Sequence, residues 1–346
     1  MGAMSGCPLS VEDVAWFREG GATMPGAVRR AARDLAERLG LGASRASEIA
    51  LAVTEAAENV HRHSVDGAVL LRALRTGGRA GVELVTVDHG PGMANVAASR
   101  RDGVSSTGTL GIGLGVIERV SDAFDLHSVP DRGTVLTARF WAGGPPEGAP
   151  GRVLDRVGGV TRPITGEQVC GDAWAARETG GVLMVMVCDG LGHGPLAADA
   201  SAAAVEAFCT SDRTEPELVM DVLHRALRRT RGGAAAVVRV DPRRRTASFC
   251  GVGNIAGALV REDGRSGMTC VPGIVGHQMR RLRSFDYPLD GVGALVLHSD
   301  GLTERWQPSA LPGMLDRSPL VVAGQLLREA GVRRDDAAVV AVSGAW

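Results

Sequence analysis

A two-domain α+β protein is the fold that the 346-residue sequence predicts. Three observations lead there. The length equals about two average domains. Residues 142–151, Ala-Gly-Gly-Pro-Pro-Glu-Gly-Ala-Pro-Gly, hold Gly or Pro at seven of ten positions and read as a linker. Helical and strand-like hydrophobic periodicities are mixed on both sides of it. The expected division is therefore a first domain over residues 1–141, a linker at 142–151 and a second domain over residues 152–346.

In the first domain, apolar residues recur at helical spacing over Ala27–Leu39 and Ser44–His63, with Ser44 or Ser47 as the expected N-cap of the second helix. Val69–Arg75 and Gly81–Asp88 alternate like strands, Leu114–Val120 reads as a helix, and Thr134–Trp141 as a closing strand. After the linker, Val182–Asp189 is a nearly unbroken apolar run that ends in Asp-Gly, the pattern of a strand buried on both faces. Helices are expected over Leu196–Cys209, Glu217–Thr230 and Val321–Ala330. Further strands are expected at Ala234–Asp241, Thr246–Gly251, Ala256–Arg261, Ala294–Ser299 and Ala337–Val342.

Composition removes whole classes of function. The formal charge is −1, and residues 1–150 carry 15 arginines against 17 acids while the remainder carries 23 against 22. Neither half has the basic surplus of a nucleic-acid or anionic-membrane binder. No lysine occurs anywhere in the chain. That excludes a Walker P-loop, which needs its phosphate-binding Lys, and Schiff-base chemistry, which needs a Lys amine. Aromatic residues are only 3% against 45% hydrophobic, so the cores are built from Ala, Val and Leu. No apolar run approaches the ~20 residues of a membrane helix, and the first residues lack the basic-then-apolar pattern of a secretory signal. Cys7, Cys170, Cys188, Cys209, Cys250 and Cys270 are scattered without metal-type spacing. They read as buried thiols of a cytoplasmic protein rather than a disulfide framework.

Three motifs follow one another in the first domain. The helical stretch Glu55-Ala-Ala-Glu58-Asn59-Val-His-Arg-His63 sets Glu55, Asn59 and His63 on one face. Val87-Asp88-His-Gly90-Pro-Gly92-Met93 puts a carboxylate at a strand end with glycines behind it, where backbone can approach a ligand closely. Gly108-Thr-Leu-Gly111-Ile-Gly113-Leu-Gly115 runs into a helix, an arrangement that offers free N–H groups to phosphates. In this order they resemble the nucleotide-binding boxes of the GHKL ATPases, in particular the serine-kinase branch of anti-sigma factors, over roughly residues 25–141. The resemblance implies a Bergerat-type α/β sandwich that binds ATP with Mg²⁺. It gives Asn59 to Mg²⁺, Asp88 to the adenine amino group, Gly90, Gly92, Gly111, Gly113 and Gly115 to the nucleotide loops, and Thr134 with Gly133 to the adenine pocket. Glu55 takes the position of a general base for transfer to a Ser or Thr hydroxyl.

The second domain offers four separated acidic clusters: Cys170-Gly171-Asp172, Cys188-Asp189-Gly190-Leu-Gly192-His193-Gly194, His298-Ser299-Asp300-Gly301 and Arg334-Asp335-Asp336. Carboxylates at strand ends suit hard divalent cations, and two such cations can activate water and clamp a phosphoryl group. Without Cys or His at zinc spacing, zinc is disfavoured. Over about residues 155–343 the series resembles the PPM protein Ser/Thr phosphatases, and most closely their SpoIIE branch. That implies an α-β-β-α sandwich with two Mn²⁺ or Mg²⁺ ions. Asp189 would bridge them, Asp172 and the Gly190 carbonyl would complete one site, and Asp300 with Asp335, or Asp336 as runner-up, would hold the other. His193 stands near the ions either as a phosphate contact or as turn packing.

Together the resemblances imply a bacterial partner-switching regulator. Its phosphatase half would act on a phosphorylated STAS-domain protein, and its kinase-like half would phosphorylate or sense nucleotide. A sigma factor or another switch protein is a further expected partner, and the kinase branch allows a homodimer. The alternative is a non-catalytic module that sequesters a sigma factor or STAS protein.

Overall fold

The structure is a computed structural model that describes Cys7 and residues 9–96, 113–279, 281–344 and 346. The chain divides into two compact units, one of Ser10–Gly151 and one of Met1–Leu9 with Arg152–Trp346.

The Ser10–Gly151 unit is a five-stranded sheet with helices on one face. Its strands are β1 (Leu9–Arg18), β2 (Ala68–Thr76), β3 (Arg79–Val87), β4 (Ala123–Val129) and β5 (Gly133–Trp141), in the order β1-β2-β3-β5-β4. The pairs β2–β3, β3–β5 and β4–β5 are antiparallel. Helices α1 (Met24–Arg38), α2 (Ala43–His63) and α3 (Gly113–Val120) build a core with the alternate residues Val69, Leu71 and Ala73 of β2 and Leu136, Ala138 and Phe140 of β5. In α2 the buried residues Ala46, Ile49, Ala52, Val53, Ala56, Ala57 and Val60 recur at three- and four-residue steps, the stripe that anchors an amphipathic helix. Its basic last turn, His61-Arg62-His63, complements the helix dipole. The cap differs from expectation: Gly42, at φ 82°, precedes the first turn, and the Ser47 hydroxyl donates instead to the Ala43 carbonyl at 2.9 Å. On the other face of the sheet, buried Arg72 pairs with Glu83 at 3.0 Å and with Asp13 at 2.9 Å, and Arg139 meets Glu83 at 2.7 Å. Arg72, Glu83 and Arg139 are direct cross-strand partners, so a ladder of alternating charge crosses four strands.

The other unit has two sheets. The strands that position the site are β6 (Val157–Arg162), β7 (Asp172–Thr179), β8 (Val182–Gly190), β9 (Gly233–Asp241), β10 (Thr246–Val252), β15 (Ala294–His298) and β16 (Ala337–Ser343). With β11 (Ala256–Arg261), β12 (Gly264–Met268), β13 (Cys270–Val271) and β14 (Phe285–Pro288) added, one sheet runs β13-β10-β9-β8-β7 with β14 on β10, and the other β12-β11-β15-β16-β6. After α4 (Ala149–Arg156), helices α5 (Pro195–Thr210) and α6 (Pro216–Leu227) cover the first sheet and α7 (Pro319–Ala330) the second. The layers are helix, sheet, sheet and helix. Leu183–Cys188 of β8 are wholly buried because one face meets the helices and the other the opposing sheet.

One expectation is corrected. Cys7 and Cys209 form a disulfide across 202 residues of sequence, so two of the six cysteines are not free thiols. Scattered spacing hid the pair because the chain returns to its start only through tertiary folding. Cys170, Cys188, Cys250 and Cys270 are free. Among the described residues no helix is long and apolar enough to cross a membrane.

Candidate functional site

The fold brings the four acidic clusters of the second unit to one place. Asp172 opens β7 and Asp189 closes β8, and the antiparallel register sets them directly opposite each other. Asp300 follows β15 by two residues and Asp335 precedes β16 by two. Asp189 lies within hydrogen-bonding reach of both Asp172 and Asp300, and Asp300 is the largest charged influence on Asp335. The result is a strip of four carboxylates. Among the described residues no three Asp, Glu, His or Cys side chains converge on one metal-sized point, whereas the pairs Asp172–Asp189 and Asp189–Asp300 do approach each other.

That strip is electrostatically unfavourable by itself. Burial, with the repulsion of Asp189 second, holds the Asp172 carboxyl well above the usual range. Burial first, then Asp300 and Asp335, pushes Asp189 up to about 7. Burial and then Asp300 raise Asp335 as well. Both causes favour the neutral acid, and a divalent cation between neighbouring carboxylates removes both. The oxygen-only donor set fits Mg²⁺ or Mn²⁺.

Supporting contacts aim the strip. The Ser299 hydroxyl donates to Asp172 Oδ2 at 2.6 Å and accepts from the Ala338 amide at 2.9 Å. Asn254 Nδ2 donates to Asp300 Oδ2 at 2.6 Å. Asp336 has a different environment: its two oxygens accept the Ile164 and Gly171 amides at 2.7 and 2.8 Å, which ties three segments together and leaves Asp335 facing the cavity. Gly190 is pressed against the first turn of α5, where a Cβ would stand 2.2 Å from the Ala197 carbonyl oxygen. His193 Nδ1 is 3.0 Å from Glu167 Oε1. The cavity is about 630 Å³, and Asp189, Asp300, Asp335, His193 and Asn254 line it.

Ser299, Asn254 and Glu167 were not assigned site roles from sequence. Asn254 and Ser299 carried a signal, since each stands inside a motif beside a carboxylate or glycine turn. Glu167 had none, because only the fold brings it to His193.

In the first unit, Glu55 and Asn59 of α2 point at the start of α3. A Cβ on Gly113 would stand 3.0 Å from Glu55 Oε2 and 3.5 Å from Asn59 Nδ2. A carboxylate and an amide thus meet a helix N-terminus that begins with glycine, which favours an anion there. Gly115 lies one turn in and is buried. Asp88 Oδ1 accepts the Gly90 amide at 2.8 Å. Its backbone presses so closely on Gly133, at φ 102°, that a Cβ there would stand 2.0 Å from the Asp88 carbonyl oxygen. Thr134 Oγ1 is 2.9 Å from Ser128 Oγ, which also accepts the Met93 amide at 2.8 Å. Gly92 is at φ 64°, against the Val129 carbonyl. Asp88, Gly90, Gly92 and Thr134 therefore share one neighbourhood. Gly111 lies outside the described residues.

Comparison with known proteins gives matching families for both units. Residues 22–140 match the histidine kinase-like ATPase domain, and residues 179–343 match Stage II sporulation protein E (SpoIIE). The serine/threonine-protein kinase RsbT of Bacillus subtilis is 32% identical over 115 residues, 33% of this chain and 86% of RsbT. The phosphoserine phosphatase RsbX of the same organism is 25% identical over 138 residues, 40% of this chain and 69% of RsbX. A solved structure described as "The bacterial stressosome: a modular system that has been adapted to control secondary messenger signaling" is 34% identical at a TM-score of 0.50, covering 54% of this chain and 97% of that one. The first unit belongs to the family of the serine/threonine-protein kinase RsbT, with a histidine kinase-like ATPase domain, and the second unit is similar to SpoIIE over residues 179–343 and to RsbX.

Proposed function

We propose that the second unit hydrolyses phosphoserine or phosphothreonine on a STAS-domain partner in the cytoplasm, and that the first unit binds ATP with Mg²⁺ and phosphorylates the same class of protein or reports nucleotide state. The observation that carries the phosphatase reading is the set Asp172, Asp189, Asp300 and Asp335 at the ends of separate strands, three of its carboxyls raised by burial and by neighbouring carboxylates at an open cavity. A module that only sequestered its partner would gain nothing from holding these charges together.

Two divalent cations, Mn²⁺ or Mg²⁺, would supply water activation and charge neutralisation at the phosphoryl group. Asp189, between its neighbours, is the shared ligand in this reading. Asp172 and the Gly190 carbonyl would hold one ion, and Asp300 and Asp335 the other. Ser299 and Asn254 keep one oxygen each of Asp172 and Asp300 fixed, so that the remaining lone pairs face the ions. Such outer hydrogen bonds set ligand orientation and affinity. In this reading Asp336, whose oxygens accept two backbone amides, supports the site through the backbone, and Asp335 takes the ligand role.

In the first unit, Asn59 is the Mg²⁺ ligand and Asp88 the acceptor for the adenine amino group. The helix start at Gly113 receives phosphate oxygens, and Glu55 removes the proton from the acceptor hydroxyl. A phosphorylated STAS protein incubated with the chain and Mn²⁺, followed by gel mobility and mass, tests the second unit. Loss of phosphate that disappears in Asp189→Ala supports it, and full activity in that variant contradicts it. ATP binding retained without transfer in Glu55→Ala identifies a kinase, whereas an unsubstituted chain that binds ATP and never transfers identifies a sensor.

A further inference from the structure

The mouth of the phosphatase cavity carries two kinds of group that ion binding does not require. The first is cationic. Arg334 lines the cavity beside Asp335 and is exposed. Arg231, just before β9, reaches the Asp189–Gly194 turn, where a Cβ on Gly192 would stand 3.0 Å from its Nη1. Among the described residues neither guanidinium has a side-chain hydrogen bond or ion pair, so both are available to an incoming anion. Four carboxylates and two divalent cations cancel, so a phosphoryl dianion enters with its charge unmatched, and two guanidiniums match it. Arg also presents a planar fork suited to phosphate oxygens.

The second kind is apolar. Leu191 and Ile274 line the same cavity and are 42% and 37% exposed. Val169, two residues before Gly171, is 42% exposed, and Leu196, in the first turn of α5, 54%. Of the five large hydrophobic residues exposed in this unit among the described residues, Leu191 and Ile274 line this cavity and Leu218 lines a different one. Clustered exposed apolar side chains mark an interaction surface.

Resting on the phosphatase reading, we propose that Arg231 and Arg334 receive the phosphoryl oxygens of the substrate, while Leu191 and Ile274 receive apolar side chains that flank the phosphorylated residue. The site thus selects a phosphoserine or phosphothreonine set in an apolar segment of a protein surface.

Steady-state kinetics with Mn²⁺ on p-nitrophenyl phosphate and on two phosphoserine peptides, flanked by Leu and Val or by Ser and Asp, separate the contributions. Binding of the unphosphorylated Leu/Val peptide and of its phosphorylated form, made non-hydrolysable as the phosphonate, to the Mn²⁺-loaded chain, read by fluorescence anisotropy, adds a measurement that does not depend on turnover. The double variant Arg231→Gln/Arg334→Gln is expected to raise KM about tenfold or more on all three substrates, to leave kcat within about threefold, and to abolish the preference for the phosphorylated peptide. Leu191→Ser/Ile274→Ser is expected to raise KM on the Leu/Val peptide alone. All four side chains are at least partly exposed, and an unchanged thermal midpoint confirms folding. Turnover with unaltered KM in the arginine variant, or no preference of the unsubstituted chain for the apolar peptide, overturns this inference and leaves the phosphatase reading standing. No turnover by the unsubstituted chain on any substrate overturns both.

Discussion

Asp335 and Asp336 are adjacent in sequence, yet the fold gives them separate tasks. Asp336 is 2% exposed and satisfies two backbone amides. Asp336→Ala strands both donors and is expected to cost about 2–4 kcal/mol, since an unpaired buried polar group costs about 1–3 kcal/mol. Asp335→Ala removes a half-buried, raised carboxyl and is expected to weaken metal binding without lowering stability. Chemical denaturation beside metal titration of the two variants checks the contrast, and equal loss of stability in both would contradict it. The sequence presented this pair as an ambiguity between two candidate ligands, because Asp-Asp carries no information about which side chain turns inward. Backbone amides contributed by residues 164 and 171 make that choice, and they arrive from more than 160 positions away.

At the scale of elements, strand ends make the site and sheet registers make it acidic. Burial at the strand ends raises both carboxyls, with Asp189 the next cause for Asp172 and Asp300 and Asp335 the next for Asp189, and the consequence for pH follows directly. A carboxyl held near 7 in the fold and at its ordinary 3.8 when unfolded favours the folded state at low pH, and that contribution is lost as pH rises from about 4 to about 7. The metal-free chain should therefore lose stability through that window, and Mn²⁺ should raise the melting temperature more at pH 8 than at pH 6, because protons and cations compete for the same oxygens. Calorimetry at the two pH values checks this, and an equal metal increment at both would contradict it. In the other unit, the ladder Asp13–Arg72–Glu83–Arg139 predicts that Glu83→Ala, which removes the buried carboxylate shared by Arg72 and Arg139, costs about 3–5 kcal/mol. Urea unfolding measures it. Elements with strong periodicity, such as α2 and β8, were legible in the sequence. The strands β1, β4, β6 and β7 were not, because edge positions and interrupting Asp, Gly and Ala blur the alternation. In β1 only Leu9 is buried, and β6 reads Val-Gly-Gly-Val, where glycines carry no hydrophobic signal.

At the scale of the whole chain, matches to two families sit in one polypeptide, and a disulfide joins the two stretches of sequence that make up the second unit. Cys7 reaches Cys209 across 202 residues, and a bridge that closes a long loop restricts the unfolded chain. Cys7→Ser is expected to destabilise the second unit by about 2–4 kcal/mol and to make stability insensitive to reductant, as melts with and without dithiothreitol would show. An equal effect of reductant on the variant and the unsubstituted chain would contradict the pairing. Family membership was legible from motif order alone, since three nucleotide motifs and four acidic clusters each keep their sequence order without needing tertiary knowledge. The disulfide and the two arginines at the cavity mouth were not, because nothing local distinguishes them from other cysteines and arginines. The central claim is that the carboxylate strip is a metal-dependent phosphatase centre. Phosphate release from a phosphoserine substrate, measured against Mn²⁺ concentration for the unsubstituted chain, Asp189→Ala and Asp336→Asn, tests it most directly. The account predicts saturable release dependent on Mn²⁺, lost by more than about a hundredfold in Asp189→Ala and retained in folded Asp336→Asn. Release that needs no metal, or that survives in Asp189→Ala, would contradict it.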